Sequence, residues 1–179
     1  MKQQKRTLAT AATLCSMFLL CANAVAASDT AKINIGGKIL ANTCTIEKNS
    51  YDVTLNSISD RDIKGAGKVS DAAKEVPVRL TGCGADVTTV VVTASGSGSN
   101  NYFANSVDAT AGGATGVGII FYQTDKTTPF NSNGSVKEIS DLNASGDTTL
   151  IYTAKYIATA DNVTAGDVRT AVSLQFDYQ

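Results

Sequence analysis

The residue types that carry most enzyme chemistry are sparse in this chain, which contains no histidine among its 179 residues. Ser–His–Asp and Cys–His arrangements need an imidazole to take a proton from the nucleophile, so both are excluded. The four cysteines stand at positions 15, 21, 44 and 83. The sequence predicts no catalytic residue, no cofactor site and no metal site, and an exported enzyme is a remote alternative.

Two short segments have residue types that bind ions or phosphate elsewhere. Asp60-Arg61-Asp62 pairs two carboxylates, but the surrounding residues do not complete an EF-hand loop, so a solvated turn is favoured. Residues 112–116 are glycine-rich like a phosphate-binding loop, but they lack the Lys-Ser/Thr ending that holds phosphate and magnesium. Neither segment predicts a site.

The N-terminus has the order of a secretory signal peptide. A basic start at Met1–Arg6 precedes an apolar stretch at Met17–Ala22, and small residues at cleavage spacing follow at Ala24-Val25-Ala26. A membrane anchor would need roughly 20 apolar residues, more than this run supplies, and the residue before Cys21 is leucine, which disfavours lipoprotein processing. We expect residues 1–26 to be removed and the mature chain to begin at Ala27, with Ser28 as the second choice.

The mature chain then keeps Cys44 and Cys83, and in an exported domain an even pair predicts one disulfide. Two unrelated buried thiols and a metal pair are the alternatives, and the metal pair lacks further ligands. The signal carries three of the 15 basic residues and no acid, which leaves 12 basic against 16 acidic residues and a net charge of −4. This charge argues against nucleic acid as a partner, because nucleic-acid binding needs a basic surface.

The composition and spacing of the mature chain predict one all-β domain of short strands. β-Branched runs alternate with Gly, Ser, Asn and Asp, as in an immunoglobulin-like sandwich. The predicted strands are Lys32–Leu40, Thr43–Glu47, Tyr51–Asn56, Glu75–Thr81, Val87–Ala94, Val117–Gln123, Leu150–Thr159 and Asp167–Tyr178. Residues 60–74 fit either a loop or a short helix, and Ser95–Gly116 is predicted to be a surface loop.

The first and last of these strands alternate with a period of two. In the last strand every second residue from Val168 to Tyr178 is apolar or threonine, so one face should be buried and the other wet. In the first strand the odd positions are apolar or glycine. Periodicity alone leaves open whether this first strand belongs to the domain's own sheet.

The two ends of the mature chain resemble the chaperone–usher pilins, the subunits of type 1 and P pili. Residues 33–46 resemble the N-terminal extension and first strand of that family, with alternating apolar residues, a glycine, and then Cys44-Thr45-Ile46. At the other end, Gly166 stands fourteenth from the terminus and Tyr178 is penultimate, and both are family hallmarks. The likeness covers the whole mature chain, with less specific agreement between about 95 and 149.

The resemblance implies an incomplete immunoglobulin-like sandwich that is completed by donor-strand exchange. Residues 27–42 would be a donor extension and residues 43–179 the pilin domain. The positions implied to enter a neighbour's groove are Ala31, Ile33, Ile35, Gly37 and Ile39. The positions implied to form the groove edge and to contact the chaperone are Gly166, Val168, Val172, Leu174, Phe176, Tyr178 and Gln179.

The resemblance also implies the partners and the destination of the chain. They are neighbouring pilin subunits, a periplasmic chaperone and an outer-membrane usher, on the route to a cell-surface fimbrium that supports adhesion. A major or minor structural pilin is the favoured function, and an adaptor or terminating minor subunit is the alternative. A receptor-binding adhesin is disfavoured, because adhesins of this family carry an extra N-terminal domain and lack the extension.

Overall fold

The computed structural model describes residues 32–36, 43–143 and 146–179. The expected signal peptide, residues 1–26, and the positions Ala31, Gly37 and Ile39 lie outside the described residues. The chain divides into two units, Met1–Gly37 and Lys38–Gln179. In the first unit, residues 32–36 are exposed and belong to no strand, so the prediction of a strand over Lys32–Leu40 is wrong for this part. A strand requires ladder hydrogen bonds, and these residues have no ladder partner among those described.

The second unit is an all-β sandwich, as predicted from the sequence. Its described part contains β1 (Thr45–Ile46), β2 (Val69–Thr81), β3 (Thr89–Ser95), β4 (Gly98–Ser99), β5 (Tyr102–Ala104), β6 (Val117–Tyr122), β7 (Asn133–Asp141), β8 (Thr148–Ala158) and β9 (Ser173–Tyr178). The larger sheet has the order β1-β2-β8-β6-β5-β4, and the smaller has the order β7-β3-β9. Both sheets are antiparallel throughout.

The core lies between the two sheets and is built from the alternation of their strands. Val90, Val92 and Ala94 of β3 are fully buried, since every second residue of a strand points to the same face. Facing them, Tyr152 of β8 packs against Phe121 and Phe130, with ring centroids 5.4 and 5.8 Å away. The central strands β3 and β8 therefore each contribute fully buried side chains to the core.

One predicted strand at the periphery is absent, and another begins later than predicted. Residues 51–56 form no strand, because the chain leaves β2 after the bond from Glu47 N–H to the Arg79 carbonyl (3.0 Å). The last strand begins at Ser173 rather than at Asp167, although residues 168 and 172 keep the half-buried pattern. In both places the side-chain period is present, but the backbone does not form a continuous strand ladder.

Other differences arise where polar residues occupy strands. β2 begins at Val69, six residues before the predicted start, and a β-bulge interrupts its pairing with β8 between Val69 and Ala73. The predicted loop from Ser95 to Gly116 contains the short strands β4 and β5. β7 was not predicted, because its inward positions include Glu138 and its exposed positions include Ile139, which inverts the usual pattern.

Candidate functional site

The strand β9 is an edge whose inner face is incompletely covered. It pairs with β3 from Val90↔Tyr178 to Ser95↔Ser173, and no described strand pairs with its other side. Leu174, Phe176 and Tyr178 point to the core but are only half-buried, while the residues between them are exposed. The alternation predicted for this strand is confirmed from 173 to 178, and its apolar face is left open along one edge.

A second open edge lies at the start of the domain. Beyond Glu47, no backbone hydrogen bond joins residues 48–57 to a strand within the described part of the chain. Ile46, Tyr51 and Leu55 of this segment pack against the same core as β9, and they too are only half-buried. Sequence analysis did not assign these three residues to a site, although the spacing Tyr51-Val53-Leu55 has the period of a strand that buries one face.

The half-buried members of the main core are concentrated on these two segments. Ile46, Tyr51 and Leu55 come from one segment and Val168, Val172, Leu174, Phe176 and Tyr178 from the other, with Cys83 and Tyr156 completing the set. The residues that β3 contributes to the same core, and Leu150, Tyr152 and Ala154 of β8, are almost fully buried. We call the apolar surface of these two segments the groove. An exposed apolar surface beside an unpaired strand edge attracts a further strand.

The connection from β8 to β9 is held in place by a close backbone approach at Gly166. A Cβ at this position would lie 2.4 Å from the Ala114 nitrogen, 2.5 Å from the Gly113 carbonyl carbon and 2.7 Å from the Gly112 oxygen. Next to it, Asp167 N–H donates to the Gly112 carbonyl (2.9 Å) and Ala114 N–H donates to the Asp167 carbonyl (3.0 Å). Only glycine allows these two backbone segments to lie this close. The contact fixes the position of the groove segment that begins with Val168.

Asn105 ties the same connection to the larger sheet. Its Nδ2 donates to the carbonyls of Ala114 and Asp167, each at 2.9 Å, and its Oδ1 accepts from Val107 N–H (3.1 Å) and Arg169 N–H (2.9 Å). All donor and acceptor groups of the amide are thereby used. Sequence analysis missed this residue, because an asparagine in a glycine-rich stretch looks like an ordinary loop residue.

Replacing Gly166 by alanine should destabilise the domain by about 1–3 kcal/mol, the usual cost of forced overpacking, because the atoms it meets are backbone atoms that cannot rotate away. Gly112→Ala is the matched control, since its φ of +86° is left-handed but a Cβ there meets nothing within 4 Å. That control should cost about 1 kcal/mol from backbone strain alone. Urea unfolding of both variants decides, and equal losses would contradict the close-approach argument.

The C-terminal residue closes the ladder of β9. Gln179 N–H donates to the Thr89 carbonyl (2.9 Å), and the Gln179 main-chain oxygen accepts from Thr88 N–H (2.9 Å) and Thr89 N–H (3.1 Å). The last residue of the chain is therefore fixed against the start of β3, while its side chain remains exposed.

The predicted donor positions inside the described residues are Ile33 and Ile35. Their side chains are 80% and 92% exposed. Isoleucine is among the residues most often found inside proteins, so these two side chains are unusually exposed for their type. Lys32 and Asn34 are exposed as well.

The predicted disulfide between Cys44 and Cys83 is confirmed. It joins the residue before β1 to the loop after β2, and Cys44 is buried. The bond therefore fastens the segment that carries Ile46, Tyr51 and Leu55 to the body of the larger sheet.

The other segments considered for chemistry have structural roles. Asp60-Arg61-Asp62 lies in a 3-10 helix at Asp60–Ile63 that Ser59 caps, and the Asp62 carboxylate accepts from Ser59 N–H (3.0 Å). In the described ranges, no three His, Cys, Asp or Glu side chains come together as metal ligands. The same ranges contain no helix long and apolar enough to cross a membrane.

Comparison with known proteins identifies relatives along nearly the whole chain. The sequence profile described as "Fimbrial protein" matches residues 33–179. The S-fimbrial protein subunit SfaG of Escherichia coli O6:K15:H31 (strain 536 / UPEC) is 32% identical over 92% of this chain and 90% of its own. The long polar fimbria protein A of Salmonella typhimurium LT2 is also 32% identical, over 82% of this chain and 83% of its own.

A solved chaperone–usher pilus, described in connection with rod uncoiling, shows the same fold. Its subunit superposes with a TM-score of 0.62 at 20% identity, over 86% of this chain and 98% of the subunit. The relatives are structural subunits, so the chain is not an enzyme. Its place is the surface fimbrium, and its partners there are neighbouring pilin subunits. The profile match and the two relatives show that this chain belongs to the fimbrial protein family, with the fold of chaperone–usher pilus subunits.

Proposed function

We propose that this chain is a structural pilin that polymerises by donor-strand complementation, with residues 27–42 of one copy filling the groove of the next. The observation that carries the proposal is the groove itself. Its two segments expose apolar side chains of the main core, and each has a backbone edge without a ladder partner in the described residues. A strand placed between them would pair the free backbone edge and cover the exposed side chains together. Its backbone would hydrogen-bond to the edge of β9, and its alternate side chains would pack on the core.

The N-terminal extension has the residues that such a strand needs. Ile33 and Ile35 are exposed, and each would contribute roughly 1.5–3 kcal/mol when buried in a neighbouring groove. In an extended donor strand, Ala31, Gly37 and Ile39 would lie on the same face as Ile33 and Ile35. Glycine at position 37 would permit a closer backbone approach than any other residue.

The proposal extends to two assembly partners, a chaperone and an usher. A periplasmic chaperone would cover the groove with one of its own strands and would bind the Gln179 carboxylate with basic side chains. At the outer-membrane usher, the extension of the next subunit would replace the chaperone strand. Removal of residues 1–26 after export would free the donor extension for this step.

Deleting residues 27–40 tests the proposal, because it separates a donor strand from an internal strand. The variant, with the signal peptide followed directly by Ala41, should still fold and co-purify with its chaperone but should not be added after another subunit. A synthetic peptide spanning Asp29–Asn42 should raise the melting temperature of the groove-exposed subunit, since ligand binding stabilises the folded state.

Two readouts decide the outcome of this experiment, the yield of chaperone complex and the yield of fibres by electron microscopy. Loss of both would show that the first strand belongs to the domain's own fold. Normal fibres from the deleted chain would show that another segment acts as the donor.

A further inference from the structure

Pro77 lies in β2, on the edge of the strand that β1 leaves unpaired. Its ring is exposed, and on the other side of the strand it pairs with Ile151 of β8. The Arg79 carbonyl accepts the hydrogen bond from Glu47 N–H (3.0 Å), so the backbone groups of residue 77, two positions earlier, point to the same side. Proline has no N–H, and within sheets it is tolerated at such an unpaired edge.

The pairing between β1 and β2 stops just before it reaches this proline. Continuing the register from Thr45↔Thr81 would place Asn49 opposite Pro77. An antiparallel pair at this point exchanges two hydrogen bonds, from N–H to carbonyl in each direction. The bond that residue 77 should donate is impossible, and Asn49 N–H donates to no backbone carbonyl in the described part of the chain.

A cleft of about 320 Å³ lies next to the point where the pairing stops. Residues 48 and 50–53 line one side of it, and residues 74–77 of β2 line the other. Tyr51 and Leu55 nevertheless pack against the main core, where they are half-buried groove residues. This segment therefore follows the core without joining the larger sheet.

Pairing with β2 and packing on the core exclude each other for this segment. Residues directly opposite each other in a sheet share a face, and Ile46 of β1 lies opposite the fully buried Leu80. The same register would place Tyr51 opposite Glu75, whose side chain is exposed. Continued pairing would therefore turn Tyr51 to the solvent, and Leu55 with it.

We infer that Pro77 is a positioning residue that keeps residues 48–53 off the edge of β2 and thereby keeps Tyr51 and Leu55 at the groove. It does so by withholding one hydrogen-bond donor from the edge on which the segment would otherwise pair. β9 contains no proline, so its free edge stays open to an incoming strand. The inference rests on the proposed donor-strand function, in which the strand of a neighbouring subunit contacts these two side chains.

Pro77→Ala tests the inference through hydrogen exchange of the mature subunit and through its affinity for a fluorescent peptide spanning Asp29–Asn42. With an N–H restored at position 77, the amides of residues 49 and 51 should bond to β2 and exchange about tenfold more slowly than in the wild type. The Kd for the peptide should rise about tenfold, the effect of roughly one net hydrogen bond in favour of the paired state. Pro77→Val repeats the test with a residue that favours strands, and because position 77 is exposed, neither change removes core packing.

Pro129→Ala is the matched control, since Pro77 and Pro129 are the two prolines of the chain. It relaxes the unfolded chain in the same way, but Pro129 lies between β6 and β7, where it bridges Tyr122, and it belongs to neither groove segment. Its peptide affinity and the exchange of amides 49 and 51 should equal those of the wild type.

The two measurements on Pro77→Ala and Pro77→Val must change together. Slower exchange without weaker peptide binding, weaker binding without slower exchange, or no change in either would overturn the inference and leave the proposed function intact. Failure of the wild-type subunit to bind the peptide would overturn the donor-strand proposal and this inference with it.

Discussion

Replacing Ile35 by aspartate should abolish fibre assembly while the subunit stays folded and bound to its chaperone. In its own subunit the Ile35 side chain is 92% exposed, so a carboxylate there remains in water and costs the fold nothing. In the groove of a neighbour the same carboxylate would be buried against apolar core residues without a cationic partner, at a cost of several kcal/mol. A penalty of about 5 kcal/mol lowers the affinity by a factor on the order of 10³ to 10⁴.

Asn34→Asp is the matched control for this variant. It introduces the same charge one residue earlier, on the opposite face of the strand, where a donor would point to solvent. Asn34→Asp should form normal fibres, while Ile35→Asp should form none, as judged by electron microscopy and by the yield of chaperone complex. Normal fibres from Ile35→Asp would show that different residues enter the groove, and loss of fibres from both variants would point to a general effect of charge.

The alternation of the last strand could be predicted from the sequence because its pattern is strict. Leu174, Phe176 and Tyr178 alternate with polar residues, and the structure places them on the inner face of β9 in that register. Hydrophobic alternation reports which face of a strand meets apolar surroundings, whether these come from the same chain or from another. The disulfide was predictable for a similar reason, since two cysteines in an exported domain have one possible pairing.

The opposite segment and β7 could not be predicted correctly for opposite reasons. Tyr51, Val53 and Leu55 alternate with polar residues as in a strand. Their backbone has no ladder partner among the described residues, so no strand forms there despite the alternation. β7 is a strand without the pattern, because its buried inward residue is Glu138 and its exposed Ile139 lies on the outer face. Local sequence records side-chain preference, whereas strand formation also depends on a neighbouring backbone that the local sequence does not reveal.

For the same reason, the groove could be expected only from the resemblance to the pilin family and not from the local sequence pattern. A gap in a sandwich is a property of two edges that are distant in the sequence, here residues 46–55 and 168–178. Each edge alone resembles an ordinary half-buried strand. The missing coverage becomes evident only when both edges are seen to face one core.

Removing the disulfide should destabilise the domain and weaken donor binding. Both effects should be larger than the lost packing of two sulfur atoms would produce. The bond closes a loop with a sequence separation of 39, so the chain-entropy model predicts a loss of roughly 4 kcal/mol. Beyond the bond, β1 is paired to β2 through only two register pairs, Thr45↔Thr81 and Ile46↔Leu80, and residues 48–57 make no backbone ladder in the described structure. Without the disulfide, one whole side of the groove is fastened by little besides the packing of Ile46, Tyr51 and Leu55.

The measurement is urea unfolding of Cys44→Ala, Cys83→Ala and the double variant, each with and without the Asp29–Asn42 peptide. Each single variant should lose nearly as much stability as the double variant, because either change opens the same loop and the effects of such coupled sites do not add. Peptide binding should weaken in all three variants, since the groove segment is released in each. Additive losses would mean that each cysteine contributes mainly by its own packing. Unchanged peptide affinity would mean that the packing of the segment alone positions this side of the groove, and that the disulfide stabilises the fold without shaping the site.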